Sequence, residues 1–274
     1  MKNLFGTMQG RLLPKYKGQY QSHPKNYWQE EFLIASDLGL DCIEFIFDFE
    51  DYKENPLFNE SGIREIKEIS KSTDIKVVSV CADFFIKSKI HSLNPEESNF
   101  SKEVLVRLIK LSSEINIKNI ILPCVEVAAL SSEKIEDIFI SEISSIINIL
   151  EDFDINLSLE TDLPPNKFAN LLSNFKSKKI RVNYDIGNSA SFGYSAKDEL
   201  DAYGHKISDI HIKDRKFNGG PIILGEGNAD FNFFFNYLKK FNYTGPFIMQ
   251  AFRDEEGIDI FKKQQEWIKP YLNL

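Results

Sequence analysis

"INLSLETDLPPNKFANLLSNFKSKKIRVNYDIGN", residues 155–188, carries an apolar run, an amphipathic stretch and a second apolar run. "INLSLETD" (155–162) and "IRVNYDIGN" (180–188) are rich in aliphatic and β-branched residues and read as strands. Between them "NKFANLLSNF" (166–175) has the apolar spacing of a helix. A strand, a helix and a second strand in this little chain form the unit of a parallel sheet, because parallel neighbours need a crossover.

The unit repeats outward in both directions. Apolar runs stand at "NLFGTMQ" (3–9), "LDCIEFIFD" (40–48), "KVVSVCADFF" (76–85), "KNIILPCVE" (118–126), "ISDIHIKD" (207–214) and "PFIMQAF" (246–252). Amphipathic segments lie at 27–39, 61–70, 101–115, 132–150, 196–204, 230–242 and 257–272, with Ser101 in an N-cap position. The runs lack strict alternation, as strands covered on both faces do. Eight such units in 274 residues predict a (β/α)8 TIM barrel, one domain spanning 1–274. An open doubly wound sheet shares the periodicity, and closure is not written in it.

Charge and composition narrow the function. A net charge of −8 lacks the basic face that supplies phosphate affinity, so no nucleic-acid partner is expected. No run approaches the length of a membrane span, and "MKNLFGTMQGRLL" has no uninterrupted apolar stretch of the signal-peptide kind. Cys42, Cys81 and Cys124 are odd in number and sit in apolar runs, which predicts reduced core thiols. A soluble, cytoplasmic protein is the expectation.

In a barrel the chemistry sits at the C-terminal ends of the strands. There the sequence places Glu160, Asp185, His211 and Gln250 at the ends of the last four apolar runs, with Lys213 and Asp214 just past His211. Two carboxylates and an imidazole at one point suit a divalent cation (Mn, Mg, Co or Zn) with open positions. Such a cation polarises a carbonyl, and a neighbouring carboxylate then moves the adjacent carbon's proton. Taken singly, each residue has a plainer reading as a cap or a hydrogen-bonded core group. His23, His91 and His205 are read that way, in loop or helix-end contexts.

"LSLETD", "YDIGN", "DIHIKDR", "LGEGNADF" and "GPFIMQAF", in this order and spacing, resemble the sugar-phosphate isomerase/epimerase branch of the xylose-isomerase-like TIM barrels. The motif is nearest to the pentulose-5-phosphate 3-epimerases; "MQGRLLP" (8–14) and "CIEF" (42–45) are similar to that branch's first two strands. The resemblance implies a metal held by Glu160, Asp185, His211 and the last-strand residue, which is Glu in the family and Gln250 here. In those epimerases the two Glu residues are the acid–base pair on opposite faces of an enediolate. Gln250 is able to coordinate but not to carry a proton at physiological pH, so Glu160 is the main base. Glu44, Asp83, Asp214 and Asp254 are the candidates to replace the second.

The resemblance further implies a sugar or sugar phosphate as substrate, a cytoplasmic carbohydrate-metabolising isomerase or epimerase, and a homodimer or homotetramer. Lys213 is placed near the substrate. Arg11, Glu44, Asp83, Asn188, Asp214, Arg215 and Glu226 are candidate substrate contacts, Arg215 as a bidentate grip on phosphate or carboxylate. Lys216 reads equally as a solvated loop residue. Gly225 and Gly227 are given a conformational role, "FNFFFNYL" (231–238) is read as helix packing, and loop 15–27 is a lid, a surface loop or a subunit contact. Two other functions fit the Gln250 substitution: a one-base dehydratase or lyase on a sugar-derived keto compound, and a non-catalytic sugar-binding barrel. An abasic-site endonuclease ranks last, since it requires many His ligands and a basic face, and the chain has 4 His.

Overall fold

The computed structural model describes residues 3–272. Its strands are β1 (Phe5–Met8), β2 (Cys42–Ile46), β3 (Lys76–Cys81), β4 (Asn119–Cys124), β5 (Asn156–Thr161), β6 (Ile180–Asp185), β7 (Ile207–Ile212), β8 (Asp214–Arg215), β9 (Pro221–Ile222) and β10 (Phe247–Met249). β1 to β7 and β10 form a closed barrel in the order β1-β10-β7-β6-β5-β4-β3-β2. Every barrel pair is parallel, and Phe5 pairing with Phe247 closes the ring. This is the (β/α)8 TIM barrel, not the open sheet. β8 and β9 form a small antiparallel hairpin after β7, which the apolar pattern did not mark.

The alternation denied to the strands in the sequence is present on the later ones. Leu157 and Leu159 of β5, Val182 and Tyr184 of β6, and Ile210 and Ile212 of β7 join the large core under the helices. The residues alternating with them are Ser158, Asn183, Asp209 and His211, all buried and polar, so this part of the barrel interior is lined by hydrogen-bonding groups. On the other side Met8, Cys42, Ile46, Cys81 and Ile248 make a separate apolar cluster. All three cysteines are free and buried.

Register brings the strand ends to one rim: Asp185 pairs with His211, His211 with Ile248, and Glu160 with Pro123. Two irregularities interrupt the ladders, between Ile43 and Glu44 and between Val182 and Asn183. Such bulges re-aim side chains at barrel rims, and both fall beside residues of the candidate site.

The helices depart from expectation at their ends. The helix expected from Ser101 starts at Pro95 and is capped by Asn94, whose side chain accepts from the Glu96 N–H. Pro95 at the first position and acidic Glu96 and Glu97 suit a helix start better than Ser101 does. Ser101 is buried inside the helix, hydrogen-bonded to Ser88. The segment 132–150 is two helices, Glu133–Ser145 and Ile147–Asp152, split where Ile146 leaves helical geometry (φ −110°, ψ 3°). β6 ends at Asp185, which caps the helix Ile186–Phe192 by accepting from the Asn188 N–H. "FNFFFNYL" forms the helix Phe231–Leu238 and buries Phe231, Phe234 and Phe235. Among the described residues, no helix is long and apolar enough to cross a membrane.

Candidate active site

Ligand atoms of Glu160, Asp185 and His211 all lie within 4.8 Å of one another at the ends of β5, β6 and β7. His211 is fully buried, and its Nε2 meets Glu44 Oε1 at 2.8 Å. The other oxygen of Glu44 accepts from the Ser79 hydroxyl at 2.6 Å. This fixes the ring and turns Nδ1 towards Glu160 Oε2, 3.7 Å away. A carboxylate behind a histidine in this way holds the imidazole that a metal uses.

The surrounding amides orient the carboxylates. Asn183 Nδ2 lies 2.7 Å from Glu160 Oε2 and 3.1 Å from His211 Nδ1, while its buried Oδ1 has no partner. Asn188 Nδ2 donates to the other oxygen, Glu160 Oε1, at 2.7 Å. Lys213 Nζ stands 3.3 Å from Asp185 Oδ2 and donates to Gln250 Oε1 at 3.1 Å, so the amide oxygen of Gln250 faces the same cluster.

Burial, and then the charge of Asp185, pushes the Glu160 carboxyl up from its ordinary value. Burial opposes protonation of His211, but Glu44, Glu160 and Asp185 override it and raise its pKa to about 10. The ring is thus faced by carboxylates on both nitrogens. Asp209, behind the ring, is pushed well up by burial and by Glu44. The clustered donor set is two carboxylates and an imidazole nitrogen in a negative field, and it fits a divalent cation of the oxygen- and nitrogen-preferring kind.

Above the cluster opens a cleft of about 500 Å³, lined among others by Glu160, Lys213, Arg215, Asn188, Gln250 and Asp83. Tyr20 and Gln21, from the loop after β1, also line it. The Xylose isomerase-like TIM barrel family model matches residues 32–271. The chain belongs to that family.

Among its relatives, an L-ribulose-5-phosphate 3-epimerase, UlaE, of Escherichia coli O1:K1 / APEC is 24% identical over 256 residues. That match covers 88% of this chain and 89% of the relative. A solved D-tagatose 3-epimerase-like protein superposes with a TM-score of 0.76 at 21% identity, covering 98% of this chain and 97% of its own. The 3-keto-D-glucoside 4-epimerase YcjR of E. coli gives 0.76 at 16% identity, covering 98% and 100%. At these identities the two structures show a shared fold.

Several residues singled out in the sequence stand elsewhere in this xylose isomerase-like barrel. Glu44 has no exposed surface and lies behind His211, so it is not a substrate contact. Asp214 is also fully buried: its carboxylate accepts the backbone N–H groups of Arg215, Gly225, Gly227 and Ala229 and shapes the 224–230 loop. That loop needs its glycines: Gly225 has φ +86°, and a Cβ on Gly227 would lie 2.0 Å from Asp214 Oδ1. Glu226, on the same loop, points into solvent and does not line the cleft.

Arg11 is 1% exposed and points inward, donating to the Tyr20 carbonyl and to Gln21 Oε1. It anchors the loop rather than facing the cleft. Asp254 is exposed and accepts from the Gly257 N–H. Arg215 does line the cleft, its Nη1 on Asn188 Oδ1 and its Nε on the Gly219 carbonyl, while Lys216 is exposed. His23 and His91 are buried and His205 is exposed, all away from the Glu160 cluster.

Three contributors escaped the sequence reading. Asn183 sits one position before a conspicuous "YD" pair and looks like an ordinary strand residue. Gln21 accepts from Gln250 Nε2 at 3.1 Å and donates to Asp83 Oδ2 at 2.8 Å. Cys81 donates to Asp83 Oδ1 at 3.2 Å on the cleft wall. Only the Gln/Tyr richness of loop 15–27 hinted that this segment reached the mouth.

Proposed function

We propose that this chain is a divalent-metal-dependent sugar or sugar-phosphate isomerase/epimerase, acting by proton abstraction next to a carbonyl. The observation that carries this reading is the Glu160–Asp185–His211 cluster, with Glu160 lining a cleft that opens above it. The curated relatives, named as L-ribulose-5-phosphate 3-epimerases, favour a pentulose 5-phosphate as substrate.

Glu160, Asp185, His211 and the Gln250 amide oxygen would hold the cation; Mn, Mg, Co and Zn all suit that donor set. Bound there, it would polarise the substrate carbonyl and acidify the neighbouring C–H. Everything else falls to this chain's own groups. Glu160, oriented by Asn183 and Asn188 on its two oxygens, takes the proton from carbon. Lys213, between Asp185 and Gln250, offers an N–H and a positive charge to the oxygen that gains charge in the enediolate. Arg215, held by Asn188 and the Gly219 carbonyl, points its guanidinium at the cleft and suits the substrate's phosphate.

The Gln250 substitution favours a second reading, a barrel that binds sugar without turning it over. The two separate in deuterated water: an enzyme places deuterium on the substrate carbon attacked by Glu160, and a binding protein does not. Metal analysis of the purified protein with an NMR screen of pentulose 5-phosphates and free ketoses reads both. Full activity in metal-stripped, chelated protein sinks the metal-dependent reading. Gln250→Glu should tighten metal binding by adding a negative charge; unchanged affinity places Gln250 outside the site.

A further inference from the structure

Resting on that reading, we propose that Asp83 is the second acid of the reaction, delivering a proton to the face of the carbon opposite Glu160, so that the chain epimerises despite Gln250.

Of the carboxylates able to stand in for the missing last-strand Glu, the structure leaves one. Glu44 is sealed behind His211, Asp214 is saturated by four backbone N–H groups, and Asp254 caps a turn in solvent. Two further acids reach the cleft. Glu126 is exposed on its rim, and Asp162 follows Glu160 on the same strand end, on the wall that already holds the base. Asp83 alone combines a place in the cleft with a fixed carboxylate on another wall.

Asp83 follows β3, two strands from Glu160, and Pro123 and Val125 of the intervening β4 end line the cleft between them. Its Oδ1 accepts from Cys81 Sγ and its Oδ2 from Gln21 Nε2. The same Gln21 amide accepts from Gln250 Nε2 and from Arg11 Nη2, at 2.8 Å. A single amide thus ties Asp83 to the position where the epimerases carry their second Glu, and the buried Arg11 locks that amide. Burial raises the Asp83 carboxyl, in keeping with a group that donates a proton.

The step balances without a co-reactant. Glu160 carboxylate takes the proton from carbon, leaving an enediolate and a carboxylic acid. Asp83 carboxylic acid gives its proton to the opposite face of that carbon and becomes a carboxylate. The carbon is inverted, and solvent water returns the proton from Glu160 to Asp83. No atom or electron is left over.

The test compares wild type, Asp83→Asn and Asp83→Asn/Gln250→Glu on L-ribulose 5-phosphate in deuterated water with Mn added, alongside Mn titration of each. Wild type is expected to place deuterium at C3 and to form the inverted pentulose. Asp83→Asn should bind Mn as wild type does and keep exchanging deuterium through Glu160. Its inverted product should fall by about 10²–10⁴-fold. The double variant should regain inversion, because the carboxylate returns on the last strand.

Asp83→Asn that inverts like wild type overturns the proposal, as does loss of exchange and inversion together. Wild type that exchanges but never inverts also overturns it and leaves the one-base reading standing. Wild type that neither binds Mn nor exchanges brings down both.

Discussion

The barrel interior has two sides of opposite character. On β1, β2, β3 and β10, Met8, Cys42, Ile46, Cys81 and Ile248 pack as an apolar cluster with almost no exposed surface, interrupted where Glu44, held by Ser79, reaches across to His211. On β5, β6 and β7 the alternate residues are Ser158 and Glu160, Asn183 and Asp185, and Asp209 and His211, all buried. Apolar burial stabilises the first side in proportion to area removed from water. The second side opposes folding, because charges leave water there and are compensated only by partners chosen for geometry. The fold tolerates that cost where Glu44, Ser79, Asn183 and Asn188 satisfy the charged groups. The difference locates the chemistry more firmly than any single motif does.

Substitutions on the two sides should separate cleanly. The largest effect belongs to the polar side: His211→Ala is expected to abolish metal binding and proton exchange, and Glu160→Gln to slow exchange by about 10²–10⁴-fold. Isothermal titration and deuterium uptake read these. On the apolar side, Met8→Ala or Ile248→Ala should cost about 2–5 kcal/mol of stability by urea unfolding while metal affinity stays as it is. A change in metal affinity from these two would erase the division between the sides.

Smaller effects sharpen the boundary. Glu44→Gln should keep the fold and weaken metal binding by about 10–100-fold, because it orients His211 without touching the cation. Direct metal titration checks it; a complete loss would make Glu44 a ligand.

The smallest expected effect concerns His23, buried beside Trp28 and Phe45 with Nδ1 on Gln9 Oε1 at 2.9 Å. Burial, and then Lys25, lowers its pKa to about 3 from an ordinary 6.5. Between those values the unfolded chain binds a proton that the folded one refuses. Stability from this group is therefore whole above pH 6.5 and lost as the pH falls towards 3. Melting temperatures from pH 7 to 4 should fall less steeply for His23→Gln than for wild type.

Much of this architecture was legible in the sequence. Eight apolar runs separated by helical periods marked the barrel strands because each strand buries one face under a helix, whatever its inner face does. Glu160, Asp185, His211 and Gln250 were legible because they interrupt apolar runs at one end. What stayed hidden depends on distance and direction. Gln21 meets Gln250 across 229 positions of chain, and no local pattern encodes that contact. Glu44 and Asp214 carry the right chemistry, but Glu44 lies behind His211 and Asp214 is held by a returning loop. Asn183 reads as an ordinary strand residue until the ladder shift beside it aims its amide at Glu160 and His211. The helix from Pro95 was misplaced because Ser101 mimics a cap while Asn94, Pro95 and Glu96 supply one.

On the proposed function, the polar side of the barrel holds a divalent cation and moves a proton on carbon. NMR of L-ribulose 5-phosphate in deuterated water, with wild-type protein before and after metal removal, tests it most directly. Deuterium is expected at one carbon next to the carbonyl, lost on chelation and restored by added Mn. Metal-replete protein that leaves every C–H of that sugar and of the ketose panel unexchanged would contradict it.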